Sequence, residues 1–146
     1  MAVDAKTGQS IFGRYNVGIH NVGSYQVSGI PWLSGSALAA NEEHKLEFPM
    51  VTKSITIIAS GAFDSGELRV SFAATGSEDS PVLAAGRHIS MAVNESSFTF
   101  NVKAKEVYVS ANKSASEVGY MCVAELTNIP EANMYIHTGS GISDSA

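Results

Sequence analysis

Apolar and polar residues alternate with a period of two along much of this chain, the spacing that sends successive side chains to opposite faces of a β-strand. The clearest run is Glu67-Leu68-Arg69-Val70-Ser71-Phe72, with Leu68, Val70 and Phe72 on one face and Glu67, Arg69 and Ser71 on the other. Ser97-Phe98-Thr99-Phe100-Asn101-Val102 repeats the pattern with Phe98, Phe100 and Val102. Further strand-like runs cover residues 15–20, 25–33, 44–48, 52–59, 87–93, 106–110 and 118–127. Gly, Ser, Asn and Asp gather between them, at 21–24, 60–66, 75–81 and 111–117. These residues supply positive φ or local side-chain hydrogen bonds and so mark turns. Asn94-Glu95-Ser96-Ser97, between two phased runs, predicts a tight hairpin.

Helix signals are sparse. Residues 36–43 fit either one or two helical turns with Ser36 as N-cap, or an irregular crossover between sheets. No other stretch holds a 3.6-residue period. Many short strands with two apolar faces to bury predict an all-β chain, an antiparallel β-sandwich of jelly-roll-like form with about 8–9 strands. The polar, Gly/Ser-rich ends divide the chain into an N-terminal arm (1–13), a sandwich domain (14–137) and a C-terminal tail (138–146).

Composition narrows the function. A length of 146 residues suits one domain with a two-layer core, and 45% hydrophobic residues argue against disorder. Charged residues make up only 16%, with a net charge of −5 and no basic stripe. A nucleic-acid binder needs clustered cations to neutralise phosphates, and the nearest cluster, Lys103, Lys105 and Lys113, is interrupted by Glu106. No nucleic-acid partner is expected. Residues 1–13 lack a basic-then-apolar signal pattern, and no apolar run approaches the ~18 residues of a membrane helix. The expectation is a chain made in the cytoplasm, without a membrane partner, and either kept there or released by lysis. Cys122 is the one cysteine, so no internal disulfide can form, and its apolar run marks it as a core residue.

Reactive constellations are missing at the level of sequence. No Ser has Gly two residues away on both sides. His20, His44, His88 and His137 are far apart and lack ligand-spaced partners. Gly139-Ser140-Gly141 lacks the third glycine of a phosphate loop. Glu42, Glu43 and Glu47 are the obvious carboxylates for glycoside hydrolysis, but such groupings are common in acidic chains. The reading is a protein without enzymatic activity, catalytic residues, cofactor or metal. Candidate contact residues are Ile11, Phe12 and Tyr15, apolar groups beside a polar terminus. Trp32, in Ile30-Pro31-Trp32-Leu33, is either a plug at one end of the core or an exposed anchor for a partner or sugar.

Several segments carry a family resemblance: NVGSYQVSGIPWLSGS (21–36), EFPMVTKSITI (47–57), FTFNVKAKEVYVS (98–110), AELTNIP (124–130) and TGSGI (138–142). Together they resemble small virion structural proteins of tailed phages, especially those of marine and cyanobacterial hosts (cyanophages). The resemblance implies a β-sandwich on the exterior of the bacteriophage particle, assembled in the host cytoplasm. It implies a capsid decoration, or cement, protein that binds the major capsid protein, or else a fibre, neck or receptor- or glycan-binding module contacting other virion proteins. It also implies self-association, with a trimer favoured. No family ligand residue carries over onto these motifs.

Overall fold

The computed structural model describes residues 27, 29–60, 67–74, 87–91, 96–112 and 117–134. Its elements are β1 (Trp32–Ala39), β2 (Glu43–Glu47), β3 (Met50–Ser60), β4 (Leu68–Ser71), β5 (Ile89–Met91), β6 (Ser97–Phe100), β7 (Glu106–Ala111) and β8 (Glu117–Pro130), followed by a 3₁₀ turn at Glu131–Asn133. All strand pairs are antiparallel. Sheet I has the order β1-β8-β3-β6 and sheet II the order β2-β7-β4-β5. Nearly every connection therefore crosses from one sheet to the other, which is jelly-roll winding. The expected antiparallel β-sandwich is the fold.

The alternation read from sequence explains the core. Leu38, Ile55, Ile57, Ala59, Val118, Cys122 and Ala124 point inward from sheet I, and Leu46, Leu68, Val70, Val107, Val109 and Ala111 from sheet II, forming one buried cluster. Phe72 and Phe100 close one side of it edge to face, with centroids 5.3 Å apart. A smaller cluster of Val51, Ile129 and Met134 lies beyond it, where β3 shifts register against β8 between Met50 and Ser54. Thr52 is fully buried there, and its Oγ1 donates to the Val102 carbonyl (2.8 Å) and accepts from the Ala104 N–H (3.0 Å). That hydroxyl satisfies the chain as it leaves β6 for sheet II.

Three local expectations change. Residues 36–39 are the second half of β1, and the chain turns at 40–42 with Asn41 at φ 60°. Asn is among the few non-glycine residues that tolerate the left-handed region. Of the run 25–33, only Trp32 and Leu33 belong to a strand among the described residues. Residues 94 and 95 of the expected hairpin lie outside the described residues, but the strands flanking it do not pair with each other: β5 pairs with β4 in sheet II and β6 with β3 in sheet I. Local turn residues signal a reversal of the chain but not which sheet receives the next strand. The run 15–20 lies outside the described residues.

Candidate functional site: the outer face of sheet I

Register fixes which side chains share the outer face of sheet I. One row across the strands is Leu33, Val123, Thr56 and Thr99; the next is Gly35, Met121, Ile58 and Ser97; a third is Ala37, Gly119 and Ser60. None of these residues is charged. Leu33 is 66% exposed and Met121 50%, so this face presents aliphatic surface to water rather than covering it. Hydroxyls border it: Thr56 and Thr99 share a hydrogen bond of 2.9 Å, and Ser54 donates to Glu125 Oε2 at 2.9 Å beyond the apolar rows.

Glycine gives the face its relief. A Cβ on Gly35 would come 3.0 Å from the Tyr120 carbonyl and 3.4 Å from Met121 Cγ, and its lack leaves room for the methionine. Between β1 and β8 the surface dips into a shallow, open depression of about 330 Å³ lined by Leu33, Ser34, Gly35, Met121, Cys122 and Val123. The Cys122 side chain belongs to the buried layer, and burial pushes its thiol up to about 12. It is a packing group rather than a nucleophile.

The outer face of sheet II is built differently. Lys45 Nζ lies 2.6 Å from Glu47 Oε1 and 3.0 Å from Glu106 Oε2, and Arg69 Nη2 lies 2.7 Å from Glu67 Oε1. The hydrogen bonds that Lys45 donates to Glu47 and Glu106 raise its ammonium above its ordinary range, and Lys45 in turn holds the Glu47 carboxyl low. Tyr108, raised chiefly by burial and then by the neighbouring Glu106 charge, donates to Glu106 Oε1 at 3.2 Å. A cleft of about 230 Å³ beside these groups is lined by Lys45, Glu47, Lys105, Glu106 and Glu131. Its charges largely cancel at short range.

A third polar cluster bridges the sheets. Tyr120 and His44 pack edge to face, the phenol oxygen 3.0 Å from His44 Nδ1, while His44 Nε2 lies 3.3 Å from Glu42 Oε1. Glu42 also accepts from the Ala39 N–H at 2.7 Å, and that backbone bond is the first cause of its lowered carboxyl. Burial raises the Tyr120 phenol. The series satisfies a buried hydroxyl and ties the β1–β2 turn to the core; it contains no activated nucleophile. Among the described residues no group of three His, Cys, Asp or Glu side chains is placed to hold a metal ion.

Of the contact residues expected from sequence, Ile11, Phe12 and Tyr15 lie outside the described residues. Trp32 meets Phe48 edge to face, with centroids 4.9 Å apart and planes at 81°, and packs against the core. That is the plug, and its ring is only half-exposed. Sequence reasoning passed over Leu33, Ile58, Met121 and Val123. The available signal was the adjacent pair Ile57-Ile58 and the run Tyr120-Met121-Cys122-Val123, where apolar residues occupy both parities of one strand. Such a run signals a strand covered on both faces. No protein-family profile, curated protein or solved structure matches the chain.

Proposed function

We propose that this chain is a structural protein, without a reaction of its own, that docks on a protein lattice through the outer face of sheet I. The setting that the family resemblance implies is the exterior of a tailed-phage particle, with the major capsid protein as the docking surface. The observation that carries the reading is the apolar group of exposed Leu33 and Met121 with half-buried Ile58 and Val123, bordered by Thr56, Thr99, Ser97 and Ser60 and free of charge. A contiguous apolar patch with a hydroxyl rim has the anatomy of an association surface. Covering it strands no buried charge, which is the term that most often cancels the gain from apolar burial. Jelly rolls occur in viral capsid, lectin and cupin proteins alike, so the winding suits this role but the surface has to choose it. A protein that binds the assembled shell and not its free subunits stabilises the shell by mass action.

Co-sedimentation of the purified chain with empty shells tests this. Met121→Lys places an ammonium in the centre of the face on a side chain that is already half in water. It is expected to weaken shell occupancy about tenfold or more, in line with losing a buried methionine contact, and to leave the unfolding midpoint unchanged. Undiminished occupancy sinks the docking face. Loss of occupancy on removing residues 1–13, with Met121→Lys silent, would move the contact to the N-terminal arm.

A further inference from the structure

A sheet edge exposes a row of unpaired backbone groups, and folded proteins blunt such edges by shortness, charge or proline. Among the described residues the two sheets have four edges, and three of them are blunted. β5 has 3 residues and β6 has 4, while β2 carries Glu43, Lys45 and Glu47 along its 5. β1 has 8 residues, Trp-Leu-Ser-Gly-Ser-Ala-Leu-Ala, with neither charge nor proline.

Bonds further inside the sheet show which β1 groups are open. The Ala59 N–H donates to the Ser96 carbonyl, so Ile55, Ile57 and Ala59 direct their backbone groups toward β6 and Thr56, Ile58 and Ser60 toward β8. In β8, Gly119, Met121 and Val123 answer β3, which turns Val118, Tyr120, Cys122 and Ala124 toward β1. These pair with Leu38, Ser36, Ser34 and Trp32. The N–H and C=O groups of Leu33, Gly35, Ala37 and Ala39 therefore point away from the sheet. Ala39 is already satisfied, its N–H donating to Glu42 Oε2 (2.7 Å) and its carbonyl accepting from the Glu42 N–H (3.1 Å). At the other end Pro31 has no N–H to offer.

We propose that β1 is a self-complementary docking strand that pairs antiparallel with β1 of a second copy of this chain, with the two-fold axis at Gly35. Leu33 then lies opposite Ala37 of the second copy, and the two Gly35 residues face each other. Residues of this parity exchange two hydrogen bonds per pair, so every outward group from Leu33 to Ala37 gains a backbone partner, the Ala37 carbonyl doing so beside its long 3.5 Å contact from Ser36 Oγ. The ladder stops where Pro31 of one copy meets Ala39 of the other, neither with an N–H to spare. A copy of the same chain is favoured because the open stretch is symmetric about Gly35, which puts no side chain on the axis. It is also favoured because the chain carries a net charge of −5 and this edge brings none of it into contact. Pairing joins the two apolar outer faces into one. A single strand pair covers less than the ~800 Å² per partner of a standard interface, so dissociation in the micromolar range, of order 10 µM, is expected.

Sedimentation equilibrium of the full chain without shells, from about 1 to about 300 µM, is expected to show the mass rising from 15.3 kDa toward twice that value. Ala37→Pro removes an outward N–H and no bond within the chain, since proline is tolerated on an edge whose N–H faces solvent. Leu33→Lys adds charge to the same edge. Each is expected to weaken association about tenfold or more with an unchanged circular dichroism spectrum. Opposed residues of this kind have Cα atoms about 5.5 Å apart, within disulfide reach. The double variant Leu33→Cys with Ala37→Cys is therefore expected to cross-link under mild oxidation, and neither single variant to do so. A 15.3 kDa species at every concentration, a trimer, or a dimer unmoved by both edge variants overturns the pairing. Shells take no part in these readouts, so this result and the shell-docking result stand or fall separately.

Discussion

The two sheets of this sandwich bury equivalent aliphatic layers but treat water in opposite ways. Outside sheet II, Lys45, Glu47, Glu106, Arg69 and Glu67 pair at 2.6–3.0 Å, so the charges on that face are matched within it, and Ser71 and Ser110 on the same side are buried. Outside sheet I, the central rows offer Leu33, Ile58, Met121 and Val123 with hydroxyls around them. Since charged groups resist desolvation and aliphatic groups favour it, the difference separates a face of internally paired charges from the uncharged face proposed as the docking surface. The edges follow the same division: β2 of sheet II is charged, and β1 of sheet I is bare.

The sharpest way to break this contrast uses two adjacent isoleucines on β3. Ile57 is fully buried in the core, while Ile58 is half-buried on the outer face opposite Met121. Ile57→Ala removes packed methylenes from a site that the surrounding strands cannot collapse into, and is expected to cost about 2–5 kcal/mol in urea unfolding. Ile58→Thr is expected to cost ~1 kcal/mol or less, yet to weaken shell docking. Equal costs would mean that the outer face is part of the fold's own core and not a surface held for a partner.

A smaller effect is expected at Gly119, next to Met121 on β8. A Cβ there would lie 2.6 Å from the Ser60 carbonyl oxygen and 2.8 Å from Ser60 Oγ. The closest atom is backbone in a paired strand, so the strands must part slightly to admit Gly119→Ala. Overpacking of this size is expected to lower stability by about 1–3 kcal/mol. An unchanged midpoint would show that β3 and β8 adjust freely, and that the outer face is more pliant than its close strand spacing suggests.

What the sequence made legible divides along the same line. β4 announced itself because Leu68 and Val70 alternate with Glu67 and Arg69, and a strand with one polar and one apolar face cannot be read in any other register. The sandwich and the buried Cys122 followed from similar patterns, whereas the sequence left Trp32 open between a core plug and an exposed anchor. β1 did not announce itself: Ser, Gly and Ala occupy both of its faces, and its extended form comes from pairing with β8 along its whole length, a tertiary fact without a local signature. The outer face of sheet I was hidden for a related reason. Alternation assigns apolar residues to the inside, so Ile58 and Met121 merged into their runs as further core. Only register, which places them beside Leu33 and away from Ile57 and Cys122, shows that they form a second and separate apolar surface.

The gentlest probe of the contrast is the charged face itself. Glu47 is held below its ordinary 4.5 by the hydrogen bond and charge of Lys45. A carboxyl depressed on folding adds stability that is present above pH 4.5 and is lost as pH falls through the folded value. Lys45, raised above its ordinary 10.5, adds stability that is complete below that pH and fades only in more alkaline solution. Lys45→Met removes both contributions. Its unfolding midpoint should fall less steeply than that of the native chain below pH 4.5, and the difference should shrink in about 1 M salt, where the Debye length of about 3 Å approaches the contact distance itself. Because these groups are surrounded by water, the difference should be small. Identical curves at low salt would leave the pairs on sheet II with no role in stability, and their remaining effect would be to resist desolvation of that face, in contrast to the uncharged face of sheet I.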